Sequence, residues 1–306
     1  MPKVGKGALG KSTGIIVVLT LIVCAGVWFE VYITPRPSQK TIPADNSDHA
    51  QASALMNDAS EQMKAGNPNE AVILLDKAAA ADRSWSIPVF AKAQMYAASG
   101  KEKEAAATLE GAYKDFPKDP EAGLLLLRNM MATKSPVEYE QIARHVILLQ
   151  SEAGEPHFYL AQSLIAQQNP AKYPEAQKEL EYANKKSPKQ PNVKIELGHL
   201  AEISGDHAGA IKHLTESAAL VDDIKASGNS MRKATDRRNI AFWMSNAYAA
   251  LKDTKNQDLW SKRLAKLDKR MQQTTALRAK ASGTPPDQAA IAELNTLMED
   301  PTFADY

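Results

Sequence analysis

Gly66 to Ala78 reads GNPNEAVILLDKA, and Gly100 to Ala112 reads GKEKEAAATLEGA. The two stretches share a plan at a distance of 34 residues. A turn signal, Gly66-Asn67 or Gly100-Lys101, comes five residues before a small residue, Ala71 or Ala105. A large apolar residue follows four positions later, Leu75 or Leu109, and a second small one three further on, Ala78 or Ala112. The same plan returns 34 residues apart in Ala176, Leu180 and Ala183 and in Ala210, Leu214 and Ser217, the latter preceded by Gly205-Asp206. Spacings of three and four place these residues on one helical face. Small residues there let a second helix approach closely, and Gly takes the left-handed conformation that ends the preceding helix. Pro117 and Pro188 stop two of these helices twelve residues after the marker alanine.

A helix–turn–helix unit of 34 residues resembles the tetratricopeptide repeat. First helices fit as well, with Val89, Ala93 and Tyr96 in one unit and Leu197, Gly198 and Ala201 in another. Four units are legible at 52–84, 86–119, 155–189 and 191–224. A degenerate fifth fits 120–152, with helices from Leu124 to Met131 and from Val137 to Gln150. A two-residue surplus around Asn169-Pro170-Ala171 predicts a longer turn. After a polar break at 225–234, apolar residues from Ile240 to Leu251 and from Leu259 to Met271 recur at helical spacing, as in a divergent last hairpin. The tail from about 275, with Gly283, Pro285 and Pro286, reads as loosely held, with a short helix from Gln288 to Met298. The fold class expected is therefore all-α, a right-handed repeat solenoid. The repeat domain spans 51–271 and the flexible tail 272–306.

Residues 14–33, GIIVVLTLIVCAGVWFEVYI, are a different matter. Twenty nearly uncharged residues suffice for one transmembrane helix. Trp28, Phe29 and Tyr32 suit the interface, and Lys3, Lys6 and Lys11 in the flank 1–13 keep the N-terminus cytoplasmic. The apolar core is longer than that of a cleaved signal, and the bulky residues after it make a poor cleavage site. Val23 before Cys24 disfavours a lipoprotein signal. Residues 34–50, rich in Pro and polar side chains, read as a linker. Gly5 to Ser12 matches a phosphate-binding loop in letters only, because no strand precedes it.

Composition and motifs exclude several classes of function. A net charge of +1 over 306 residues is not that of a nucleic-acid-binding polycation. A single cysteine, Cys24, rules out a disulfide framework and a cysteine metal site. His49, His145, His157, His199, His207 and His213 show no metal-ligand spacing, and no nucleophile elbow is present. The reading contains no catalytic residue, cofactor, metal or small-molecule substrate.

Repeats of this kind implied a concave binding surface on the first helices. From the register it would hold Met56, Met63, Phe90, Gln94, Tyr159, Gln167, Asn192 and His199. The Lys/Asn/Arg set by which related repeats clamp acidic chaperone tails is missing, since Met56, Ser60 and Gln94 stand at those positions. Charge suggests a second surface. Residues 225–280 carry fourteen Lys and Arg against four Asp and no Glu, a net +10, whereas 51–224 carry 18 against 24, a net −6. Arg232, Lys233, Arg237, Arg238, Lys262 and Arg263 are the candidate docking patch for an acidic partner or anionic lipid headgroups. The function expected is a non-enzymatic scaffold or assembly factor, single-pass in a bacterial inner membrane, whose periplasmic repeats bind envelope proteins. The alternative is an accessory or regulatory subunit of a membrane enzyme complex, for example in cytochrome c maturation or respiration.

Overall fold

The computed structural model describes residues 46–98, 101–130, 135–223, 230–281 and 287–299. The segment 14–33, Cys24, the loop-like Gly5 to Ser12, Gly100 and most of the linker lie outside them. Among the described residues no helix is long and apolar enough to cross a membrane.

The described residues are helical and contain no strand. They fall into two compact units divided between Thr133 and Lys134. The first holds α1 (Asn46–Lys64), α2 (Pro68–Ala81), α3 (Ile87–Ala98), α4 (Glu102–Asp115) and α5 (Pro120–Met130). The second holds α6 (Pro136–Leu149), α7 (Gly154–Ala166), α8 (Tyr173–Lys186), α9 (Pro191–Ile203), α10 (His207–Asp222), α11 (Ser230–Ala250), α12 (Thr254–Ala281) and α13 (Gln288–Glu299). Within each unit consecutive helices pack as hairpins, and in the second α9 also lies against α11. Both helices of the expected 120–152 unit form, but they belong to different compact units.

The repeated small and large residues are the packing cores of the hairpins. Ala71, Ala105, Ala176 and Ala210 are buried, as are Leu75, Leu109, Leu180 and Leu214 four positions on. So are Ala78, Ala112, Ala183 and Ser217, and the Ser217 hydroxyl donates to the Pro191 carbonyl at 2.9 Å. Gly66 and Gly205 adopt φ of 81° and 85° at the turns, where a side chain would be strained. Helix starts are equally local. Pro68, Pro136, Pro174 and Pro191 sit in first turns, where no amide donor is missed. Ser135 and Glu138 form a reciprocal capping box.

The turn at Asn169 is indeed longer, a single 3-10 turn at Pro170–Lys172 entered through Gln168 at φ 52°. Polar side-chain contacts also tie helix starts to later loops. His49 meets Asp82 at 2.8 Å, and the Ser86 hydroxyl donates to Asp119 at 2.5 Å, 37 residues further along at both ends.

Three boundaries differ from expectation. α1 begins at Asn46, inside the expected linker, because Ala52, Met56 and Ala59 pack against α2. α11 starts at Ser230 inside the polar break, where Met231 and Ala234 meet Leu267 and Leu297. α12 runs past 271 to Ala281 with Thr274 and Leu277 buried, and α13 packs on it, with Ala290 and Ile291 buried. Leu251 and Leu259, expected in the apolar stripe of the last hairpin, are 49% and 45% exposed.

Ala105 is buried while Ala107, on the same helix, is exposed. Ala105→Leu should therefore overpack the hairpin and cost about 1–3 kcal/mol, with Ala107→Leu close to neutral. Equal melting temperatures for the two variants would show that the register is wrong.

Candidate functional site

The expected concave set does not stay together. Met56 and Phe90 are 4% and 3% exposed, and Met63 packs on the core beneath α1 and α2. These apolar side chains face the neighbouring helix, since burying them there removes more surface from water than a groove would. Gln94 remains half-buried on α3. In the second unit Gln167 lies just past the end of α7 and belongs to a network at the turn. Its amide donates to Glu140 at 2.7 Å and its carbonyl accepts from Lys172 at 2.6 Å. Lys172 and Arg144 reach the same carboxylate. Against the desolvation of partial burial, these donors hold Glu140 down at about 2.

Tyr159, Asn192 and His199 are half-buried on α7 and α9, and His199 belongs to a continuous ribbon that starts one turn beyond Tyr159. On α7 the Tyr159 hydroxyl reaches Glu155 at 3.3 Å, and one turn on Gln162 donates to Glu196 of α9 at 2.8 Å. Glu196 also meets His199 Nδ1 at 3.1 Å. His199 stacks on Trp243 of α11, ring centroids 3.9 Å apart and planes 17° from parallel. Phe242, 39% exposed, stands edge-on to Trp243 at 4.7 Å. Asn192 sits apart at the start of α9, its side-chain oxygen accepting from the Val193 amide at 3.1 Å. Behind Tyr159, the ring of Tyr139 on α6 is buried edge-to-face at 6.0 Å, and that burial pushes its phenol above the ordinary value.

Gln162, Glu196 and Trp243 are not among the site residues expected from the sequence. A signal for the first two exists: each lies fourteen residues ahead of its marker alanine, Ala176 or Ala210. Trp243 lies in the apolar stripe expected from Ile240 to Leu251 and is half-buried against the core there.

Chemically, the ribbon places an amide, a carboxylate, an imidazole and aromatic rings on three first helices. That combination can hold the backbone and side chains of a peptide segment. Among the described residues no group of three or more His, Cys, Asp or Glu could hold a metal ion.

The basic patch also rearranges. Arg237 is buried and pairs with Asp222 at 2.5 Å, and Arg238 pairs with Asp268 at 2.6 Å. The Arg263 guanidinium lies over Trp260 at 4.4 Å. Lys233 reaches the Asp222 carbonyl at 3.5 Å, while Arg232 and Lys262 are exposed.

No family model and no curated protein sequence matches the chain. Among solved structures, the chain is similar to PilW, a widely conserved type IV pilus biogenesis factor. The TM-score is 0.53 at 13% identity, over 81% of this chain and 98% of that one. MamA from Desulfovibrio magneticus RS-1 aligns at 16% identity over 56% of this chain and 94% of its own, TM-score 0.47. YrrB, a repeat protein with an unusual peptide-binding site, aligns at 16% identity over 58% and 89%, TM-score 0.46. The PilW alignment and the repeated helix pairs agree on the tetratricopeptide-repeat fold.

Proposed function

We propose that this tetratricopeptide-repeat chain is a non-enzymatic scaffold that captures a segment of a protein partner on the first-helix face of α7, α9 and α11. The observation that carries the reading is the ribbon from Gln162 through Glu196 and His199 to Trp243, with Tyr159 one turn earlier on α7. It joins three helices by direct side-chain contacts and leaves polar and aromatic groups half-buried. Half-buried aromatic and amide groups in a row suit an extended or helical segment, whose backbone they pair and whose apolar side chains they cover.

The sequence supports a membrane location for this scaffold. The apolar stretch 14–33 and its three flanking lysines support a single-pass anchor with the repeats on the far side of an inner membrane. The partner would then be another envelope protein.

A pull-down from solubilised membranes with the full-length chain as bait tests this. Gln162→Ala with His199→Ala removes the two central side chains without adding bulk. Capture of the partner should fall by roughly tenfold or more, since central contacts dominate such interfaces, while helicity stays unchanged. Undiminished capture would remove this face from the account.

A further inference from the structure

The basic end of the chain acquires a definite shape in α12. At 100° per residue, Lys255, Lys262, Lys266, Lys269 and Lys280 all lie within about 40° of one line along the helix. All five are exposed, and the line runs for about 38 Å. Gln273 shares it, and Asp258 is the one acidic residue on it. The opposite side of the helix is the packed one, with Trp260, Leu267 and Thr274 buried.

This face differs from the patch read in the sequence. Of the arginines expected there, Arg237 pairs with Asp222, Arg238 pairs with Asp268 and Arg263 lies over Trp260, while Arg232 is exposed on α11. The exposed charge that α12 presents along one line is a straight row of lysines. Lysine is a compact charge on a flexible stem and asks for no fixed geometry, unlike the planar fork of arginine. A row of such charges on one straight helix suits a flat array of diffuse negative charge better than a shaped acidic epitope. A layer of phosphate headgroups has that form, and each lysine near it adds to the attraction. The chain carries its own route to such a layer, because the apolar stretch 14–33 is long enough to cross a bilayer.

We propose that the lysine face of α12 docks on the anionic headgroups of a phospholipid bilayer. The occupancy would hold this end of the second unit at the membrane surface, separately from the α7–α9–α11 ribbon.

The test uses the full-length chain mixed with vesicles of phosphatidylcholine alone or with phosphatidylglycerol added. Flotation with neutral vesicles reads the apolar segment 14–33. Acetylation of individual lysines, followed by mass spectrometry, reads α12. Lys262, Lys266 and Lys269 should be modified several-fold more slowly on the anionic vesicles than on the neutral ones. The exposed Lys178 and Lys212 should be modified equally on both. High salt should erase the difference, as screening requires.

A triple variant, Lys262→Glu, Lys266→Glu and Lys269→Glu, should keep its helicity. It should lose the protection of Lys255 and Lys280, with surface affinity falling by about two orders of magnitude. Equal modification of the wild-type face on both vesicle types would overturn the proposal. So would protection by soluble polyglutamate with none by anionic vesicles, which would assign the face to an acidic protein.

Discussion

Leu214→Ala is expected to cost about 2–5 kcal/mol and to lower the melting temperature of the second unit by roughly 5–20 °C. The side chain is fully buried on α10. It occupies the space that a side chain on Gly198 would need, since a Cβ there would lie 2.6 Å from Leu214 Cγ and 3.3 Å from the Ala210 carbonyl oxygen. Removing the isobutyl group thus empties the centre of the α9–α10 hairpin, where Ser217 and Ala210 are too small to collapse inward.

The reciprocal change makes the same point. Gly198→Ala should cost about 1–3 kcal/mol by overpacking. In the Leu214→Ala background its penalty should shrink sharply, because the clashing atoms are gone. Thr215→Ala, at an exposed position one residue along, should stay within about 0.5 kcal/mol. Thermal melts of the four variants measure all of this. Additive penalties for the Gly198 and Leu214 pair would contradict the packing described.

The second large effect depends on pH. Asp236 on α11 is 8% exposed, and its Oδ2 accepts no hydrogen bond among the described residues. Burial pushes its carboxyl from 3.8 up to about 6, with the positive charge of Arg232 pulling the other way. The folded state therefore holds this proton to higher pH than the unfolded chain does. Its contribution to stability is most favourable below about pH 4, declines as pH rises toward 6, and is constant above that. A shift of that size corresponds to about 3 kcal/mol lost at neutral pH. Asp236→Asn removes the charge while keeping the shape. It should be more stable than the wild type at pH 7, and the advantage should fade at pH 4. Denaturant melts at both values measure the difference; an advantage of equal size at both would show that Asp236 is not held above its ordinary range.

The hairpin cores were legible because their residues see mainly neighbours of the same hairpin. Ala71, Leu75 and Ala78 face the helix just before them, so a spacing of four and three is enough to place them. First-helix residues are different, because their surroundings depend on the next repeat. Met56 and Phe90 were expected on a surface and turned inward, since an apolar side chain at the seam between two helices goes to whichever side buries it.

Gln162, Glu196 and Trp243 show the converse. Their importance arises from contacts between α7, α9 and α11, which residue type alone does not announce. The lysine-rich α12 outran its expected end because charged and polar residues on its outer face hide the buried Thr274 and Leu277 within it. Likewise, the basic patch read as one surface because sequence counts charges. It cannot show that Arg237 and Arg238 are already paired with Asp222 and Asp268.

The central claim is that a protein partner lies against the first-helix ribbon. Site-specific photo-crosslinking in intact membranes tests it most directly, with a photoreactive phenylalanine analogue placed singly at Gln162, His199, Lys178 or Lys212. The account predicts an adduct with the same partner protein from 162 and 199. It predicts none from 178 and 212, which are exposed on the second helices α8 and α10. Adducts from 178 and 212 with none from 162 and 199 would contradict it.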